Sequence, residues 1–234
     1  MAVSMRSFLF LSLLSFLIPS CVAQVREGSI HGTVLADRGA PVTDAHVSAE
    51  VMSGPNIMTV LGAETNDTGV FAFSQLPMGE YRVFAEKQEA GYLSTRPDIF
   101  TPKPPLTIAL TPSEPTAATT IRLGPKAGMI TGWVRDSSTG EPIAAHLSLA
   151  PTDGHAWSTT GTTGQFRFQL LIPADTPVFL GACAEGYETW FYADPANRSR
   201  RSPLQLRPGT SVEIDVALDH RPDNMAMPCL SSRY

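Results

Sequence analysis

The groups in this chain that could do chemistry are five histidines, three cysteines, a scatter of acids and one aromatic run. The histidines are His31, His46, His146, His155 and His220, and His46 and His146 hold matching places in two similar halves. Strand imidazoles can bind zinc, but a site needs a converging set of ligands. The spacing supplies none, so both are expected to face solvent. Asp136, Glu141, Asp67 and Glu64 lie in or near turns. A calcium loop needs many oxygens at fixed spacing, which is absent, and these acids are expected to cap turns. There is no Gly-x-Ser-x-Gly elbow, no His-Glu-x-x-His and no Cys-x-x-Cys. No catalytic residue, metal or other cofactor is therefore expected, and the chain reads as a non-enzyme.

The aromatic run is Trp190-Phe191-Tyr192, inside Glu188 to Asp194. Three consecutive rings cannot share one side of a strand, so either Phe191 or the Trp190/Tyr192 pair turns outward. Exposed rings stack on sugars or anchor a protein partner. Packing between two domains is the other reading. Trp133 falls on the face opposite Val134, and Arg198, Arg200, Arg201 and Arg207 form a basic patch expected to be solvated.

The elements that position these groups follow an export leader. Arg6 gives Met1–Ala23 a positive start, Phe8–Ile18 is a short apolar run, and Cys21-Val22-Ala23 is a small-residue cleavage site before Gln24. Ile18-Pro19-Ser20-Cys21 also approaches a lipoprotein box, which would anchor the chain at Cys21. The expected location is outside the cytoplasm: periplasmic, extracellular or outer-envelope. No later segment is apolar enough for a membrane helix. The net charge is −5, and Arg6 is the only charge the leader carries. A mildly acidic chain without a basic stretch argues against nucleic acid. Outside the leader stand Cys183 and Cys229. Two cysteines in an oxidising compartment suggest one disulfide. Alternation puts Val178, Leu180 and Ala182 on one face and Cys183 on the other, where it could pin the tail through Cys229; two unpaired thiols are the alternative.

The same pattern is written twice. Ile30-His31-Gly32-Thr33-Val34, Gly39-Ala40-Pro41-Val42, Ala45-His46-Val47, Gly69 to Phe73 and Gly91-Tyr92 form the first copy. Ile130-Thr131-Gly132-Trp133-Val134, Gly140-Glu141-Pro142-Ile143, Ala145-His146-Leu147, Gly164 to Phe168 and Gly186-Tyr187 form the second. Apolar residues alternate with polar ones in both, which predicts half-buried strands. Turns are marked by Asp, Asn and Gly, and Asn66–Gly69 and Gly161–Gly164 predict tight hairpins into the Phe-x-Phe strands. Each copy ends in a proline turn and an alternating strand, Thr120–Leu123 and Val212–Val216. The reading is all-β: two tandem seven-stranded sandwiches, with a barrel as the structural alternative.

These stations, with Leu76-Pro77-Met78-Gly79-Glu80-Tyr81, resemble the carboxypeptidase regulatory-like domain. The resemblance implies a transthyretin-like β-sandwich, related in fold to some starch-binding-like modules, in an exported bacterial protein. The second copy departs where Leu171–Val178 replaces the Leu-Pro-x-Gly-x-Tyr station, and where Pro142 to Ala145 is one residue shorter. The resemblance carries over no catalytic residues. The expected layout is a signal peptide at 1–23, sandwiches at 24–124 and 129–219, a linker at 125–128 and an irregular tail at 220–234. The expected role is a binding, spacer or assembly module with a protein partner or polysaccharide. The alternative is a carbohydrate-binding module that uses residues 190–192.

Overall fold

The computed structural model describes residues 27–54, 56–100, 102–152, 158–163, 167–193 and 201–221, with the backbone alone at 158–163. The leader, Cys21, His155, Phe166, Arg198, Arg200 and Cys229 lie outside the described residues.

The first unit has seven strands: β1 (Gly28–Leu35), β2 (His46–Ser53), β3 (Asn56–Glu64), β4 (Val70–Leu76), β5 (Gly79–Glu86), β6 (Leu106–Leu110) and β7 (Thr116–Arg122). They make two separate sheets, β4-β1-β7 and β3-β2-β5-β6, so the sandwich holds and the barrel does not. β1 runs antiparallel to β4 and parallel to β7. The facing sides bury Ile30, Val34, Val47, Ala49, Phe71, Phe73, Tyr81, Val83 and Leu110, the residues the two-residue period selects. Tyr81 is fully buried, and its hydroxyl donates to the Pro77 carbonyl at 2.7 Å. The ring thereby joins the core without an orphaned polar group.

The Asn66–Gly69 turn is tight but is not a hairpin. The Asn66 carboxamide oxygen accepts from the Thr68 and Val70 amides at 3.0 and 2.9 Å, and Gly69 sits at φ +74°. The turn carries the chain from β3 in one sheet to β4 in the other. A turn signature shows that the chain reverses; which sheet receives it depends on partners far away in sequence.

The outer face of the β2–β5 sheet is partly covered. Phe84 lies opposite Ser48, on the side away from the core, yet it is buried. The segment after Tyr92 crosses this face. Arg96 lies 4.3 Å from the Phe84 ring centre and pairs with the buried carboxylate of Glu50. Thr95 caps the end of β5, its hydroxyl accepting from the Ala85 amide at 3.0 Å.

The second unit contains β8 (Gly128–Gly132), β9 (Val134–Asp136), β10 (Ala145–Pro151), β11 (Ser158–Thr163), β12 (Phe168–Ile172), β13 (Val178–Cys183), β14 (Trp190–Phe191), β15 (Ser211–Glu213) and β16 (Val216–Leu218). The seven-strand plan survives with two interruptions. The first strand is broken into β8 and β9 at Trp133, and the last into β15 and β16 at Ile214-Asp215. β15 pairs parallel with β8, and β16 parallel with β9. Asp215 repairs the break, its carboxylate accepting from the Trp133 amide at 2.9 Å. A separate core forms from Ile130, Leu147, Leu149, Phe168, Ile172, Leu180, Val216 and Leu218. The register differs between the units: Gly32 opposes Phe71, the first Phe of its station, while Gly132 opposes Phe168, the second of its own.

The units meet along a bonded seam. The Ala127 amide donates to Gly91 O at 2.7 Å, and the Gly209 amide donates to Lys126 O at 3.2 Å. The Lys126 ammonium stands 5.6 Å from the Tyr92 ring centre, and Phe100 packs against the core of the second unit. A cleft of about 230 Å³ runs between them, with Leu93, Lys103 and Arg122 on one side and Pro173 and Thr176 on the other.

Candidate functional site

The densest polar cluster gathers on Asp136, the last residue of β9. Its carboxylate is buried. One oxygen accepts from the Ser138 amide at 2.7 Å, the Ser138 hydroxyl at 2.6 Å and the Thr139 amide at 3.0 Å. The other accepts from the Tyr187 hydroxyl at 2.8 Å and lies 2.7 Å from His220 Nε2. The Ser138 side-chain bond, then the Tyr187 bond and the two backbone donors, hold the Asp136 carboxyl well below the usual carboxylate range, against the opposing effect of burial. The same bond, with burial and the negative charge of Asp136, pushes the Tyr187 phenol up. The rings of Tyr187 and His220 stack with centres 4.6 Å apart.

A histidine held by a buried carboxylate is half of a base-activation device. The other half is missing among the described residues: no Ser, Thr or Cys side chain bonds to His220. The Ser138 hydroxyl is committed to the opposite oxygen of Asp136. The cluster is instead a fastener. It ties the turn after β9 to the Gly186-Tyr187 turn and to the chain after β16, where the Arg221 amide also donates to Gly186 O at 2.9 Å. Residues 220 and 221, read in sequence as the start of an irregular tail, are thus pinned to the second unit. The first unit has Ala36 at the matching place, so the fastener belongs to one copy. Sequence reading took Asp136 as a turn cap, which it is, and left His220 as one histidine among five. Nothing local connects the two.

The aromatic run divides as alternation requires. Trp190 and Tyr192 pack against the core of the second unit, and Phe191 faces outward. The expected packing between domains is replaced by packing within one. Phe191 is not bare: Arg201 stands 5.1 Å from its ring centre and 3.7 Å from that of Phe179. Arg201 remains exposed although it lies against these rings, and partial desolvation lowers the pKa of its guanidinium. Trp133 is likewise covered by the Arg135 guanidinium, 4.9 Å from its ring centre.

Cys183 sits on the face of β13 away from the core, as alternation implies, but that face is covered and the residue is buried. Cys183 is disulfide-bonded. His46 is exposed and His146 half-buried. Among the described residues no group of three or more His, Cys, Asp or Glu is placed to hold a metal ion, and no helix is long and apolar enough to cross a membrane.

With two sheets, a parallel first-and-last strand pair and the repeated stations in place, the first unit can be compared with known families. Residues 29–123 match the carboxypeptidase regulatory-like domain. The match spans β1 to β7. The second unit repeats the strand plan with broken strands and a different register at the Phe station. No curated relative matches the chain. Among solved structures, the chain is similar to the TIE protein of Bacillus anthracis (16% identity, TM-score 0.35), over 83% of this chain and 34% of that one. It is also similar to a streptococcal ancillary pilin (14%, TM-score 0.37; 84% and 63%). A third is the minor pilin GBS52 of Streptococcus agalactiae (13%, TM-score 0.37; 88% and 100%). The chain thus spans about a third of the first of these proteins and under two thirds of the second. A likeness of this degree carries nothing about what the chain binds.

Proposed function

We propose that this chain is an exported, non-enzymatic module that binds, spaces or assembles other components of the cell envelope or extracellular space. One observation carries the reading: the seam. Two sandwiches joined by a free linker would act as beads. Here the short linker is hydrogen-bonded on both flanks, Lys126 stands over Tyr92, and Phe100 of one unit packs against the core of the other. That arrangement favours a stiff two-unit spacer. Among the described residues, the most enzyme-like cluster, at Asp136, is saturated by structural bonds.

The test is to express the full chain in an exporting host and to examine its mature form. The expected result is recovery outside the cytoplasm, an N-terminus at Gln24, and small-angle scattering with one well-defined long dimension. Cytoplasmic retention with residues 1–23 intact would overturn export. Turnover of any substrate would overturn the non-enzymatic reading. On this reading the leader removes Cys21, which leaves Cys229 as the partner proposed for Cys183; a mapped disulfide peptide joining Cys183 to any other cysteine overturns that pairing.

The carbohydrate-binding alternative rests on Phe191, since Trp190 and Tyr192 are packed. Binding to a polysaccharide panel that disappears in Phe191→Ala supports it, and a clean negative from folded protein removes it.

A further inference from the structure

We propose that the free edge of β3 is where a second copy of this chain pairs, antiparallel, extending the sheet across a two-fold axis. This names the partner for the assembly part of the proposed function and rests on that reading.

β3 is an outer strand of the β3-β2-β5-β6 sheet. One side pairs with β2 from Asn56 to Glu64. On the other side its N–H and C=O groups have no backbone partner among the described residues. Such a row is a template for another strand, and proteins usually blunt it with lysine, proline or inward charges. From Asn56 to Ala63 this strand has none of them. It presents apolar side chains instead: Met58 is 69% exposed, Val60 57% and Ile57 49%. The outer strands β4 and β6 each show one large exposed apolar residue, Val70 and Leu106.

Register narrows the run. The β2–β3 ladder slips between Val51, opposite Thr59, and Met52, opposite Ile57, with Met58 as the extra residue. A bulge bends an edge and ends regular pairing, which leaves Thr59–Glu64 as the straight segment. The Arg96 loop that covers the outer face reaches Phe84 and Glu50, and it leaves Val60, next across from Glu50, open.

Charge permits a second copy along β3 and sets its direction. The chain carries −5, so two copies repel over most of their surface. Along β3 they meet no carboxylate until Glu64, and Glu50, across from Val60, is already paired with Arg96. Antiparallel pairing centred near Leu61 sends the two Glu64 side chains to opposite ends of the ladder. At about 3.4 Å per residue they stand on the order of 20 Å apart, well beyond the roughly 8 Å screening length at physiological salt. Parallel pairing would set them side by side. A second copy's β3 meets these terms, uncharged and open along the same edge, and pairing across a two-fold axis closes both edges at once.

The test is sedimentation equilibrium of the exported protein over a concentration series. The expected result is a monomer–dimer equilibrium. Val60→Lys should weaken it by about tenfold or more, because like charges then meet across the ladder. Val70→Lys, at a comparably exposed apolar site on β4, should leave it unchanged. Amide hydrogen exchange at rising concentration gives a readout without mutation: protection should grow over Thr59–Glu64 and not over β4. A wild type that stays monomeric overturns the inference. So does a dimer untouched by Val60→Lys, or one with no added protection in β3. A monomer that still binds a polysaccharide or an envelope protein removes self-pairing and leaves the proposed function standing.

Discussion

A Cβ placed on Gly132 would lie 1.9 Å from the carbonyl oxygen of Ile214. The two residues press backbone to backbone where the second unit's last strand breaks, and Phe168 closes the other side at 3.1 Å. The same contact recurs in the first unit, where a Cβ on Gly32 would meet Thr119 O at 2.3 Å and the Phe71 ring at 2.8 Å. The repeated glycine is a packing requirement of the parallel strand pair.

Gly132→Ala should therefore destabilise the protein by about 1–3 kcal/mol or more, since backbone rather than a mobile side chain must yield. Gly124→Ala is the control. Its Cβ meets nothing within 4 Å, and the change should be close to neutral. Chemical denaturation of both variants checks this. Equal stability for Gly132→Ala would show that the two strands do not lie this close.

Acid should loosen the second unit through Asp136. Its folded pKa lies below the ordinary value of 3.8, so its contribution is present above that value and is lost as pH falls below about 4. Asp136→Asn should lower stability at pH 7 and flatten its decline between neutral pH and strong acid. Melting temperature against pH for both proteins measures the difference. Parallel curves would remove Asp136 from the acid response.

Thr65 is buried at the corner between β3 and β4. Its hydroxyl accepts from the Ala45 amide at 2.8 Å and donates to Val42 O at 2.7 Å. Thr65→Val should cost about 1–3 kcal/mol because it leaves a buried donor and a buried acceptor unpaired. Thr65→Ser should recover most of the loss. If valine proves as stable as threonine, water reaches this corner.

Within the aromatic run the variants should separate by face. Trp190→Ala should cost stability, about 1–3 kcal/mol for a partly buried ring, whereas Phe191→Ala should cost under about 1 kcal/mol. Thermal unfolding decides between them. The reverse order would mean that Phe191, not Trp190, is the ring against the core.

The strands were legible because one face of each is apolar: Ile30/Val34, Val47/Ala49, Tyr81/Val83 and Leu180/Ala182 announce the core without any knowledge of the partner strand. Phe84 was not legible, since its burial comes from Arg96 folding back over the outer face. That Phe168 stands opposite Gly132, where Phe71 stands opposite Gly32, was not legible, because a sequence pattern fixes spacing within a strand and leaves its register against the next one open. The link between Asp136 and His220 was hidden for the same reason. It is made by two chain segments that only the completed sandwich brings together.

The parallel pairing of first and last strands sets how the molecule carries load. β1 runs alongside β7 in the same direction, so the chain enters the first unit at one end of this ladder and leaves at the other. β8 with β15, and β9 with β16, repeat the arrangement. Tension between the two ends of the protein is therefore directed along the strands, and each ladder is sheared as a whole instead of being peeled open one bond at a time.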